Sequence, residues 1–327
     1  MVVYTDKHHT CLVLKESIFN TPVTPTLDLG LCQGLTPSSN NTITSHYTTG
    51  RRDLVEQTAG VFTNSIDGSF KFQHGRVFTF MFGAARDDNT ASDYRHVFVD
   101  IDNELSGGAK ALPDTGLSFT MENGFDSSSD ITETFAGCKV ASITLNNSIN
   151  NVLTMDVNIS GSSVDTGTSA GTKVLSTIPL FIHSNDNNSF GAESSEVAQT
   201  ILQTWGLTLA QDIQPIDGNS REHVDMVENN LNVTFTFTKI FDDKVMYERF
   251  LGGTTSSTGT PTNTSFIFNN HNGVALGSGR REFYAKVIGQ IESHDKPIEI
   301  NSAIIATFQC SGRLKVLYTV DGTAALS

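Results

Sequence analysis

Several short motifs recur in the same order along the two halves of the chain, and this repetition restricts the fold more tightly than composition does. Gly50-Arg51-Arg52-Asp53 is echoed by Gly218-Asn219-Ser220-Arg221-Glu222. Phe70-Lys71-Phe72 precedes Val77-Phe78-Thr79-Phe80-Met81-Phe82-Gly83, and Phe235-Thr236-Phe237 precedes Val245-Met246-Tyr247-Glu248-Arg249-Phe250-Leu251-Gly252. Ser118-Phe119-Thr120-Met121 answers to Ser265-Phe266-Ile267-Phe268, and Phe135-Ala136-Gly137-Cys138-Lys139-Val140 to Phe283-Tyr284-Ala285-Lys286-Val287. Each run closes on Ser-Gly, at Ser160-Gly161 and Ser311-Gly312. Spacing changes only between motifs, where loops can absorb it. The expectation is two tandem copies of one unit, over residues 40–165 and 206–320. An N-terminal arm (1–39), a linker (166–205) and a C-terminal tail (321–327) flank them.

The unit reads as β. Leu153, Met155, Val157 and Ile159 alternate with Thr154, Asp156 and Asn158, the period-2 pattern of a strand with one apolar and one polar face. Similar signals cover residues 69–72, 97–101, 118–121, 139–145, 232–238, 283–291 and 303–310. Thr (39 residues) outnumbers Lys and Arg together (21), and Phe reaches 21, a bias toward pleated, half-buried surfaces. Two short helices are expected. One covers 196–205, with Val197, Ile201, Leu202 and Trp205 on one side and Ser194-Ser195 as cap. The other covers 242–251, capped by Asp242 and stopped by Gly252. The Gly/Ser/Thr-rich stretches 160–172 and 252–264 read as loops or linkers.

Charge and length exclude several function classes. The net charge is −14, with 11 bases against 19 acids up to Lys173 and 10 against 16 after it, so both halves repel anions. Gripping DNA or an anionic membrane is disfavoured. The opening residues lack the basic and apolar regions of a secretory signal. The longest near-apolar run, 77–85, is far short of the ~20 residues that span a bilayer. Cys11, Cys32, Cys138 and Cys310 form no CxxC pair and read as free, mostly buried thiols.

Candidate chemistry is sparse. Asp114-Thr115-Gly116 and Asp165-Thr166-Gly167-Thr168-Ser169 spell the aspartic-protease motif twice, but a shared-proton dyad needs both loops rigid at equivalent places. Here Asp114 follows Pro113, and Gly161-Ser162-Ser163 rather than an apolar strand leads to Asp165. Gly167-Thr168-Ser169-Ala170-Gly171 matches GxSxG without the strand-to-helix elbow that exposes the serine. His8-His9-Thr10-Cys11 lacks zinc-site spacing. The acidic stretch Asp87, Asp88, Asp93, Asp100, Asp102, Glu104 lacks the oxygen spacing of an EF-hand. No catalytic residue, cofactor site or metal site is expected.

Glu16-Ser17-Ile18-Phe19-Asn20-Thr21-Pro22, Thr49-Gly50-Arg51-Arg52-Asp53, Phe135-Ala136-Gly137-Cys138-Lys139-Val140-Ala141-Ser142-Ile143-Thr144-Leu145 and Val227-Glu228-Asn229-Asn230-Leu231 together resemble the tail tube proteins of long-tailed bacterial and archaeal viruses. The resemblance spans most of residues 15–320. It implies two β-sandwich or rolled-barrel domains with short flanking helices, joining other copies into a closed ring, a trimer with pseudo-sixfold symmetry, and rings stacked into a hollow tube. It also implies tape-measure and tail terminator or tip proteins as partners, transient non-adhesive contact with viral DNA, no membrane, and a place in the virion tail after assembly in the host cytoplasm. A long non-contractile tail is preferred. Polar strand positions Thr154, Asp156, Asn158, Gln290, Glu292 and Gln309 are the candidates for the lumen. Alternatives are a secretion-system or contractile-injection tube component, the aspartic protease, and a virion decoration or adhesion protein.

Overall fold

A computed structural model describes residues 9–49, 53–90, 93–105, 107–111, 116–125, 130–172, 178–241, 244–252, 261–276, 279–297 and 304–322. In chain order the strands and helices are β1 (His9–Lys15), β2 (Leu31–His46), β3 (Glu56–Lys71), α1 (Arg76–Phe82), β4 (Arg86–Thr90), β5 (Asp93–Asp100), β6 (Phe119–Phe125), β7 (Ile131–Ser148), β8 (Thr154–Gly161) and β9 (Ser163–Gly167). They continue as β10 (Ser189–Ala192), β11 (Ser195–Ala198), β12 (Leu202–Asp217), β13 (His223–Ile240), α2 (Val245–Leu251), β14 (Thr264–Leu276), β15 (Gly279–Asp295) and β16 (Ile305–Asp321). The chain is mainly β, as its alternation and composition require.

One antiparallel pairing scheme occurs twice. β1 pairs with β6, β6 with β7, β7 with β8, β8 with β3 and β3 with β2. Likewise β10 pairs with β14, β14 with β15, β15 with β16, β16 with β13 and β13 with β12. Each scheme has a helix after its second long strand, and a glycine at positive φ ends it: Gly83 at 73° and Gly252 at 74°. Both positions favour the residue without a Cβ. The hairpin β4–β5 is inserted after α1 and lies along β16. The two schemes meet where residues 204–210 of β12 pair with 142–148 of β7. A continuous path β2-β3-β8-β7-β12-β13-β16-β15 results.

The core lies on one side of that path. A single apolar rung runs through it: Cys32, Phe70, Met155, Leu145, Leu207, Phe235, Cys310 and Ile291 stand opposite one another strand by strand. All but Cys32 are buried. α1 is apolar all round and buried, with Phe78 packed 5.4 Å from Phe98 and 6.0 Å from Phe283, and Phe80 4.4 Å from Phe119. A side chain of this size contributes about 1.5–3 kcal/mol when fully buried.

Three expectations are corrected. The helix expected over 196–205 is absent: β11 turns back on β10 through Ser194 at φ 65°, and β12 has begun by Leu202. An isolated ten-residue helix is marginal in water, whereas residues 204 and 205 of β12 pair on both sides with β7 and β13. Val197, on the supposed apolar stripe, is 65% exposed. The stretch 160–172, expected as a loop, carries the end of β8 and β9. The Ser-Gly pairs occupy different rungs: Gly161 faces Asn64, six residues before Phe70, while Gly312 faces Val233, two before Phe235. The helix expected over 242–251 is present as α2 but begins at Val245, with Lys244 at its N-cap, and ends as expected with Gly252 N–H donating to Arg249 O and Glu248 O; Asp242 lies outside the described residues. Residues 1–39 carry β1 and the start of β2, and 166–205 carry β10, β11 and the start of β12.

Candidate functional site

Three polar rungs cross the sheet on the side away from the core. One runs from Ser69 through Asp156, Thr144, Thr208, Thr234 and Ser311 to Gln290. The next runs from Lys71 through Thr154, Asn146, Gly206, Thr236 and Gln309 to Ser293. A third joins Asp67, Asn158, Ser142, Ala210 and Asn232. Opposed residues of an antiparallel ladder project to the same side, so Thr154, Asp156, Asn158, Gln290 and Gln309 share one face. Glu292 is the extra residue of a bulge between Ile291 and Ser293, and its carboxylate accepts from Ser311 Oγ, which places it there too.

The short side chains on this face bond to one another. Ser69 Oγ donates to Asp156 Oδ1 at 2.6 Å, Asn158 Nδ2 to Asp67 Oδ1 at 2.6 Å, and Ser293 Oγ to Gln309 Oε1 at 3.2 Å. Hydroxyls pair across the junction of the two schemes, Thr144 with Thr208 at 3.1 Å. A donor committed to a neighbour is a poor ligand for a phosphate oxygen. The carboxylates Asp67, Asp156, Glu292 and Asp295 outnumber Lys71 and Arg313 on and beside these rungs, so the face repels polyanions. Near β2 the face is hollowed into a groove of about 410 Å³ lined by Thr36, Asp67, Ser69, Thr144, Asp156 and Asn158.

Among the described residues the enzyme-like motifs are not brought together. Asp165 is exposed on β9 opposite Thr134, and Asp114 lies outside the described residues. Ser169 sits in a segment after β9 held by Ala170 N–H to Asp130 and Gly171 N–H to Glu122. His9 bonds Asn123 at 2.8 Å, and His8 is outside the described residues. Among the described residues no group of three His, Cys, Asp or Glu could hold a metal. No described helix is long and apolar enough to cross a membrane.

The acidic stretch is occupied by basic partners instead. Lys286 Nζ lies 2.9 Å from Glu104, and Lys315 Nζ 3.0 Å from Asp102 and 2.6 Å from Glu104. The buried His96 stands between Asp87 (2.7 Å) and Asp321 (3.1 Å). Burial disfavours its imidazolium, but hydrogen bonds to Asp321 and Asp87 outweigh that and raise its pKa above 6.5. A raised histidine contributes stability that is complete below the unfolded value and lost as pH rises through the folded one. His96→Gln should therefore lower the melting temperature by about 1–2 °C per kcal/mol lost at pH 5.5, with a smaller gap to the unaltered protein at pH 9. A gap that is constant with pH would show that no charge is at work there.

Two of the segments that carry the family resemblance, 16–22 and 135–145, meet around Glu16. Its buried carboxylate accepts from Asn20 N–H (3.0 Å), Thr120 Oγ1 (2.9 Å) and Gly137 N–H (2.9 Å). Gly137, at φ 62°, has no room for a side chain: a Cβ would lie 2.8 Å from Ser162 Cβ and 3.0 Å from Phe19. Asn20 adopts φ 56°, which asparagine tolerates better than most residues, while its side chain receives Ser163 Oγ at 2.7 Å and donates to Glu222 at 3.0 Å. Residues 50–52 of the second segment lie outside the described residues.

Two strand edges end the sheet path. They are the outer sides of β2 and of β11, neither of which has a further ladder partner among the described residues. A family model described as phage tail tube protein matches residues 9–319. The chain belongs to the phage tail tube protein family. A comparison with curated proteins finds no match. As a tail tube protein it has a structural role in the virion tail, assembling with itself and with other tail proteins. Thr144, Thr208, Thr234 and Ser311 of its polar face escape a reading by sequence, although the alternation of Thr234, Thr236 and Thr238 with Phe235 and Phe237 carries part of the signal.

Proposed function

We propose that the chain is a duplicated tube subunit: three copies close into a ring of six similar units, and stacked rings form the conduit for genome delivery in a long non-contractile tail. The polar face, with Thr154, Asp156, Asn158, Gln290, Glu292 and Gln309, is the lumen wall. The protein acts without catalysis. It assembles in the host cytoplasm on a tape-measure protein and is capped by terminator and tip proteins. The observation that carries this reading is the twice-used pairing scheme, whose path leaves a strand edge at each end and one uninterrupted polar face between them. An exposed edge is a hazard that ring closure removes.

The outer part of the β2–β3 hairpin supports stacking. Residues 38–49 and 53–59 are exposed, and Ile43, Tyr47, Leu54 and Val55 near its tip are 54%, 68%, 39% and 43% exposed. Such apolar side chains at the end of a protruding ribbon suit contact with another ring. Negative-stain images of concentrated protein should show hollow rods with threefold cross-sections, and trimming the hairpin tip should leave single rings. Compact monomers at every concentration would overturn the ring.

A further inference from the structure

We infer that Cys11 and Cys32 are a reactive dithiol: Cys32 attacks a small disulfide, Cys11 resolves the adduct, and the resulting bond ties together the two ends of the first pairing scheme. β1 and β2 are those ends, reached from β7 through β6 on one side and through β8 and β3 on the other. They approach each other just before β2 begins. Val13 N–H donates to Leu27 O at 2.7 Å and Leu27 N–H to Val13 O at 3.0 Å, and Gly30 at φ 128° stands between this bridge and β2. Cys11 comes shortly before Val13 and Cys32 shortly after Leu27, and both are half-buried at the rim of one apolar core. Cys11 hydrogen-bonds Cys32 through their side chains, and the His9 ring bonds Cys32 as well. The ends of the second scheme, β10 and β12, hold no cysteine.

The surroundings divide the roles. The His9 ring also bonds Asn123 Oδ1 through Nε2 at 2.8 Å, so a nucleophile, a base and a group that orients the base stand in line. Cys32 holds the thiolate: the hydrogen bond from Cys11, helped by those from His9 and the Gly34 N–H, lowers its pKa against burial. Cys11 is raised by that same hydrogen bond, by burial and by the carboxylates of Asp28 and Glu122. Cys32 therefore attacks first. Its Sγ bonds one sulfur of the small disulfide, and the other sulfur leaves as a thiolate that takes the His9 proton. Cys11 Sγ then attacks Cys32 Sγ, and the second small thiol leaves with the Cys11 proton. The two cysteines give up two electrons, and the small disulfide takes them to become two thiols. Cys138 and Cys310 stay out, because both are buried and burial raises their pKa. Under the tube reading, on which this timing alone rests, the chain assembles among reduced thiols and meets oxidant after release, so the bond follows assembly.

The test is oxidation of the full-length chain. Reduced protein treated with oxidised glutathione should yield a peptide pair joined from Cys11 to Cys32 and lighter by two hydrogens, with Cys138 and Cys310 still free. The oxidised chain should melt about 3–6 °C higher, the effect of closing a loop of about 20 residues in a chain this long. Single variants should differ from each other. Cys11→Ser should retain one glutathione on Cys32, whereas Cys32→Ser should take up less than about a tenth as much on Cys11. His9→Gln should slow iodoacetamide labelling of Cys32 about tenfold near pH 6. Equal uptake by the two single variants, or an unchanged labelling rate without His9, would overturn the division of roles. Unaltered folded protein that stays unlinked, with glutathione on both thiols or on neither, would overturn the dithiol. Neither result touches the tube reading, which ring formation tests separately.

Discussion

Replacing Asp186 by alanine should cost about 3–5 kcal/mol, the scale for removing one partner from a buried charged cluster. Asp186 lies in the segment between the two pairing schemes, with its side chain 9% exposed. Its carboxylate accepts from Trp205 Nε1 and Asn147 Nδ2, both at 2.8 Å, from Asn188 Nδ2 at 3.2 Å, and from Asn270 Nδ2. Asn147 is on β7, Trp205 on β12 and Asn270 on β14, so one side chain ties the junction to the far meander. Alanine leaves four donors without their acceptor, and a buried unsatisfied group costs roughly 1–3 kcal/mol. Trp205 is the single tryptophan, which gives the cluster its own reporter. Urea unfolding of the variant should show the lost stability, and native-state emission should shift as the indole loses its acceptor. A change below 1 kcal/mol with unaltered emission would mean the cluster does not hold the schemes together. Acid should not mimic the substitution. Burial raises the Asp186 pKa above 3.8 against the pull of its donors, so the folded chain takes up this proton before the unfolded one and stability through this group does not fall with pH.

The strands were legible wherever one face is wet. The alternation around Met155 places β8 within two residues at either end, and the Thr/Phe alternation of residues 233–238 falls inside β13. α1 was not legible. Val77, Phe78, Thr79, Phe80, Met81 and Phe82 are strand formers by local preference, and only burial on all sides between two glycines makes them a helix. The reverse error at 196–205 has the same origin. A 3.6-residue stripe can be drawn through Val197, Ile201 and Trp205, yet pairing of 196–198 with β10 and of 204–205 with β7 and β13 decides the backbone.

The candidate face was legible in pieces. Alternation marks Thr154, Asp156 and Asn158 as one polar side of one strand. That Asp156 stands level with Thr144, Thr208, Thr234 and Gln290 depends on register across six strands, which bulges at 140/142 and 291/293 reset. Asp186 carried no such signal. It sits in the run Asn185-Asp186-Asn187-Asn188, which reads as a turn, and its partners Trp205, Asn147 and Asn270 are 19, 39 and 84 residues away along the chain.

Asp156→Lys combined with Ser311→Lys should turn a passive wall into a DNA trap. The two positions are equivalent in the repeated scheme, Asp156 opposite Ser69 and Ser311 opposite Thr234, so each unit receives one lysine at the same height. Asp156 gives up its bonds from Ser69 and Asn146, but on an exposed face such losses stay within about 0.5 kcal/mol of neutral. Folding and assembly should survive. In a ring of three, six lysines then face the bore together. Each phosphate neutralised steepens the salt dependence by about 0.9 in log–log slope, and six contacts or more imply a loss of about 10³-fold in affinity between 50 and 200 mM salt. Assembled tubes of the variant should retain DNA at 50 mM salt and release it at 200 mM, and genome ejection from variant particles should be slower and salt-dependent. Val224→Lys, at a position 60% exposed on the tip of the β12–β13 hairpin, adds a charge away from this face and should change neither. Ejection at the unaltered rate from particles with full-length tails would remove the face from the lumen, because cations on a wall that the duplex passes attract its phosphates.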